Sequence, residues 1–138
     1  MSKVPSICFK KYHFLIRITL AAVWIWTALT SLFFDFQFGF KLLKDFGVSS
    51  NYSLSLIYLA STMNLIFGLW LISGKKLLLN CHLQMITIIL YTLLLSIISP
   101  DFWLHPFGPL TKNFPMLLLI ILFRDKLIQV SNQKQSNG

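Results

Sequence analysis

The sequence predicts an all-α membrane protein: a bundle of four transmembrane helices with both termini in the cytoplasm. Three observations carry that expectation. The 138-residue chain is 56% hydrophobic and only 12% charged, with a mean hydropathy of +0.71, whereas a soluble domain carries about 25% charged residues. Its apolar residues gather into uncharged runs of span length, a bilayer core of about 30 Å being crossed by roughly 20 helical residues. Its twelve Lys and Arg, set against four Asp and no Glu, fall unevenly on the two sides of those runs. A soluble enzyme, a disordered chain and a disulfide-stapled secreted domain are excluded by this composition. A strand barrel would need many segments of polar–apolar alternation, which the chain lacks.

The first span is Ile18 to Phe34, reaching back to Phe14 if Arg17 lies at the interface. Lys10 and Lys11 ahead of it imitate a signal peptide, but the apolar stretch is too long and no small-residue cleavage site follows. It reads as an uncleaved first helix. The loop over 35–53 predicts a short interfacial helix around Phe40 to Phe46. The Phe34-Phe36-Phe38-Phe40 alternation is strand-like, yet phenylalanines dipping into the outer leaflet account for it better. Leu54 to Ser73 and Leu77 to Ser99 are the second and third spans, joined by a tight Ser73-Gly74-Lys75-Lys76 hairpin.

The fourth span is less direct. The uncharged run Asn113 to Phe123 is too short to cross alone. Extended from Pro109 to Leu127 it suffices, with Lys112 and Arg124 snorkelling to the headgroups. Pro109 suits a first helical turn, whereas Pro115 would kink or delay the start; Thr111 or Asn113 can cap the helix. A re-entrant hairpin within 100–123 is the rival arrangement. Residues 1–13 then form a cytoplasmic N-terminal segment, 14–129 the membrane domain, and 130–138 a polar, disordered cytoplasmic tail.

Positive-inside counting supports four spans. One side receives Lys3, Lys10, Lys11, Arg17, Lys75, Lys76, Arg124, Lys126 and Lys134 against Asp125 alone. The other receives Lys41, Lys44 and Lys112 against Asp35, Asp45 and Asp101. The net charge of +8 is therefore an orientation signal with an affinity for anionic headgroups, and it does not argue for nucleic acid.

Residues able to carry chemistry are few. Cys8 and Cys81 both fall at the cytoplasmic end, where thiols stay reduced; no Cys-x-x-Cys pair exists. His13 and His82 lie at similar depth, but no spacing supports bis-His haem ligation. The scattered Asp residues make no metal or acid–base site, and no Gly-rich phosphate loop is present. Polar residues inside the spans say more, because an unsatisfied polar group in hydrocarbon costs several kcal/mol. Asn80, Gln84, Thr87 and Tyr91 form one stripe on the third helix. Ser61, Asn64 and Gly68 share a face of the second, and Arg17, Trp24, Thr27 and Ser31 align on the first. Such stripes serve either interhelical hydrogen bonding or an internal pocket for an amphipathic ligand such as a quinone or lipid. The densest segment is Ser99 to Pro115. Its prolines stiffen the backbone, Trp103 and Phe107 anchor it at the interface, and His105, Lys112 and Asn113 are presented at a membrane face. That is either a site or a structural cap.

His105-Pro106-Phe107-Gly108-Pro109-Leu110-Thr111-Lys112-Asn113-Phe114-Pro115 resembles the signature of the DoxX-like membrane proteins. Arg17 to Thr27 resembles that family's first helix, and Ile66-Phe67-Gly68-Leu69-Trp70-Leu71 the end of its second; the likeness covers about residues 14–127. The resemblance implies a small four-helix protein of the bacterial inner membrane. The family name derives from thiosulfate:quinone oxidoreductase subunits, and most members have no assigned activity. Relatives often carry an acidic residue where Asn64 stands, so a role for a midplane carboxylate is not carried over. The expected function is an accessory or scaffold subunit without chemistry of its own, free of metal and cofactor. Its partners would be the lipid bilayer and other membrane or oxidoreductase subunits. The alternative is a quinone-binding subunit of an oxidoreductase system. Arg17, Trp24, Asn64, Gln84, Tyr91, His105, Lys112 and Asn113 are the candidate ligand or signature residues.

Overall fold

The computed structural model describes residues 6–104 and 109–136. Within them the chain is helical throughout: α1 (Ser6–Phe33), α2 (Phe36–Asp45), α3 (Ser50–Ser73), α4 (Leu77–Ile98), a 3₁₀ turn (Pro100–Trp103) and α5 (Pro109–Ser136). Among these residues, three helical stretches are long and apolar enough to cross a membrane: Tyr12–Phe33, Ser50–Ser73 and Leu77–Ile98. In α5, every stretch of that length contains Arg124, Asp125 and Lys126. His105, part of the signature segment, lies outside the described residues.

The four long helices alternate in direction. The Arg17 guanidinium meets Gly74, Trp24 meets Phe67, and Phe36, just beyond α1, meets Tyr58. The start of α1 therefore lies beside the end of α3. In the same sense His13 of α1 packs on Phe123 of α5, and Thr92 of α4 bonds Asn113 of α5. α1 lies along α3 and also meets α5, and α4 lies along α5; α3 and α4 are joined by the Gly74 turn. One end of the molecule thus carries that turn and the end of α5. The other carries α2 and the 3₁₀ turn.

The α1–α3 contact is close because α3 presents small or short side chains towards it. Ser53, Ile57, Ser61, Asn64, Gly68 and Leu71 recur at helical spacing and are all buried. Small residues let helix backbones approach where no hydrophobic force drives helices together. At Gly68 the approach is extreme. A Cβ there would stand 2.5 Å from Ile25 Cγ1 and 3.0 Å from the Ala21 carbonyl oxygen. The apolar core gathers Leu20, Ala21 and Trp24 of α1, Phe67 and Leu71 of α3, Cys81 and Ile88 of α4, and Ile120 and Phe123 of α5.

The exterior inverts the pattern of a soluble protein. Trp26, Leu59, Ile66, Leu69, Leu90, Leu93, Ile97 and Leu118 all face outwards, whereas Ser53, Ser61, Asn64, Asn80 and Gln84 are buried. A soluble monomer does not expose apolar surface on that scale. This is a protein whose solvent is lipid.

Three local features differ from the sequence reading. The interfacial helix begins at Phe36, four residues ahead of the expected start at Phe40. Its Phe36 and Phe40 rings stack 6.3 Å apart, and Phe36 packs on Tyr58, while Gly39 admits Ile57. α5 starts at Pro109, as a proline in the first turn permits, and continues through Pro115, so residues 109–123 form helix and not a hairpin. Thr111 and Asn113 lie inside this helix and do not cap it. At its far end α5 runs to Ser136, making residues 131–136 helical where composition points to disorder. Extending an existing helix needs no new nucleus.

The Gly68 contact gives a direct test. Gly68→Ala is expected to destabilise the protein by about 1–3 kcal/mol through overpacking, read as a lowered Tm in detergent. Ile25→Ala in the same chain should restore only part of the loss, because the Ala21 carbonyl is backbone and cannot retreat.

Candidate functional site

The polar interior is built by three helices. Trp24 is at the middle of α1, where its indole lies edge-on to the Phe67 ring at 5.1 Å and its Nε1–H points across the core. It donates to Gln84 Oε1 of α4 at 2.8 Å. Gln84 and Asn80 lie one turn apart on α4, so the Gln84 amide Nε2 can donate back to Asn80 Oδ1. Asn80 in turn donates through Nδ2 to the Phe67 carbonyl of α3 at 3.4 Å. Each donor faces an acceptor, and the chain ends on a backbone oxygen with a second lone pair to offer. Gln84 and Asn80 are wholly buried and Trp24 nearly so. This relay ties α1, α4 and α3 together.

A second cluster sits at the α2 end. Asn113 Nδ2 donates to Thr92 Oγ1 at 3.0 Å, and the Thr92 hydroxyl donates to the Ile88 carbonyl at 2.7 Å. One turn on, Ser96 donates to the Thr92 carbonyl and accepts from Trp103 Nε1 at 3.1 Å. The Trp103 ring lies 5.7 Å from Phe114. This cluster fastens α5 to α4 and anchors the 3₁₀ turn against both.

The structure therefore joins some of the candidate residues and separates others. Trp24 and Gln84 are in contact. Asn64 is buried on α3, and Ser61, one turn earlier, has a buried hydroxyl with no hydrogen-bond partner. Arg17 is half-buried at the turn end, its guanidinium 5.6 Å from the Phe14 ring and against Gly74. Lys112 is exposed at the opposite end, within electrostatic reach of Asp35. Tyr91 leaves the stripe: it is exposed on the flank of α4. In projection at 100° per residue Tyr91 still falls within about 20° of Gln84, but towards the α2 end the packed side of α4 turns to Ile88, Thr92, Leu95 and Ser96. Thr92 and Ser96, which the sequence reading left aside, make the interhelical bonds at this level instead. Their only signal was that each is a small hydroxyl residue on a half-buried face.

His82 is exposed and its Nδ1 lies 2.8 Å from the Leu78 carbonyl of its own helix; His13 packs on Phe123. Cys81 is a free, fully buried thiol. Among the described residues, no group of three or more His, Cys, Asp or Glu is placed to hold a metal ion.

Apolar helices facing outwards around a hydrogen-bonded polar interior define an α-helical integral membrane protein. The DoxX-like family matches residues 21–121, most of the chain, and the protein belongs to that family. No curated protein and no solved structure matches it.

The relay predicts a non-additive pair. Gln84→Leu strands the Trp24 N–H and frees the Asn80 amide oxygen, and should cost about 1–3 kcal/mol. Trp24→Phe strands Gln84 Oε1 and should cost a similar amount. The double variant Trp24→Phe/Gln84→Leu should be less destabilised than the two losses combined, measured by denaturation in mixed micelles as a double-mutant cycle.

Proposed function

We propose that the protein is a four-span accessory or scaffold subunit of the bacterial inner membrane, with both termini cytoplasmic and no catalytic chemistry of its own. The observation that carries this reading is the relay from Trp24 through Gln84 and Asn80 to the Phe67 carbonyl. Trp24, Gln84 and Asn80 are engaged with one another, which supports a rigid framework over a binding pocket at that level. The excess of basic residues at the α3–α4 turn and near the end of α5 supports the orientation. α5 serves as the fourth span in this reading, with Lys112 and Arg124 reaching opposite headgroup layers. Its place alongside α4 and against α1 supports that role. The surfaces left for partners are the exposed faces of the helices and the two ends.

Two measurements test it. A fluorescent-protein fusion after residue 136 should fluoresce and an alkaline phosphatase fusion there should be inactive; an active phosphatase would overturn the topology. Extraction in native membrane discs, followed by mass spectrometry, should recover other membrane proteins at fixed stoichiometry and no quinone. Quinone recovered near one per chain, and lost in Gln84→Leu, would replace the scaffold reading with that of a quinone-binding subunit.

A further inference from the structure

At the turn end, the α3–α4 turn, the start of α4 and the last turns of α5 line a cleft of about 450 Å³. Its lining is of mixed polarity: Leu77, Leu78, Leu127 and Ile128 are apolar, and Lys76, Ser131 and Asn132 are polar. The surroundings are basic. Lys75 adjoins Lys76, and the Arg17 guanidinium reaches Gly74 on the cleft's lip, where Nη1 stands 3.1 Å from the point a Cβ would occupy. Arg17 Nε is buried there with no hydrogen-bond partner. Asp125, the acid at this end, is held by Arg124 at 2.7 Å, so it does not neutralise these groups.

Lys76 is also held in place. It is the sole non-glycine described residue with positive φ, at 45°, a conformation unfavourable for a long side chain. The backbone around it is braced: Trp70 Nε1 donates to the Lys75 carbonyl at 2.7 Å and the Lys75 N–H reaches Ser73 Oγ. The turn therefore fixes the ammonium-bearing residue at the mouth of a half-apolar groove.

We propose that this cleft binds an anionic phospholipid of the cytoplasmic leaflet, its phosphate against Lys76, Ser131 and Asn132 and its acyl chains leaving along Leu78 and Ile128. Charge complementarity selects the occupant: a lining that combines a lysine, a hydroxyl and an amide with apolar side chains matches a phosphate joined to hydrocarbon. A zwitterionic lipid offers the same apolar part but brings its own cation towards Lys76. The site rests on the proposed orientation only in naming the leaflet.

The test uses the full chain in nanodiscs of mixed phosphatidylglycerol and phosphatidylcholine, with retained lipid counted by native mass spectrometry. Wild type should retain phosphatidylglycerol in preference by about fivefold. Lys76→Asn, which tolerates positive φ, should bring the two lipids close to parity, and Ser131→Trp should do so by filling the cleft with the charge intact. Lys75→Asn, an equal loss of charge outside the cleft lining, should leave the preference in place. Equal retention of both lipids by wild type, an undiminished preference in Ser131→Trp, or the same drop in Lys75→Asn as in Lys76→Asn would overturn the site. Because nanodiscs present both leaflets, failure here leaves the topology untouched; a failed topology is read from the fusions instead.

Discussion

A polar group left unpaired in an apolar solvent is costly, and the hydrogen-bonded chain from Trp24 to the Phe67 carbonyl is how this fold pairs its buried indole and amides on α1 and α4. The relay needs α4 turned so that Asn80 and Gln84 both face inwards, α1 placed so that the indole reaches across, and α3 near enough to offer a carbonyl. Once those requirements are satisfied, little freedom remains in the relative placement of the three helices. The apolar core residues then fill around the relay: Leu20, Leu71, Cys81 and Phe123 are all essentially without exposure.

Close approach and hydrogen bonding reinforce each other. Gly68 lets α3 lie against the Ala21 carbonyl, and that proximity brings Phe67, the neighbouring residue, under the Trp24 ring. A larger residue at 68 would push α3 away from both. At the other end of the molecule the fastening is of a different kind, with hydroxyl and amide side chains of α4 and α5 meeting at Thr92 and Asn113. Individually such bonds between membrane helices are modest, about 0.6 kcal/mol; their value lies in fixing rotation and depth where dispersion alone would allow sliding.

The relay organises the interior, though it leaves the buried Ser61 hydroxyl unpaired, and the two ends differ in character. The turn end is basic and braced by Trp70 and Ser73. The opposite end is aromatic, with α2 laid against α3 through Phe36, Gly39 and Ile57. Its Lys44 lies 6.0 Å from the Phe40 ring.

Hydropathy and charge by themselves determined the all-helical class, the positions of three apolar spans, the tight turn at Gly74 and the existence of a short helix before α3, because burial in lipid and helix length are properties of single segments. The polar residues on α3 and α4 were visible as stripes for the same reason. Which of them meet was decided only by the tertiary structure. Tyr91 shares a stripe with Gln84 in helical projection but lies on the flank of the packed face, while Thr92 does the bonding. The continuity of α5 through Pro115 was equally beyond local reading, since a proline's cost is offset by packing that no short window contains. Contact depends on the rotation and separation of helices, and those are set jointly by Gly68, Trp24 and Asn80 across three segments far apart in the chain.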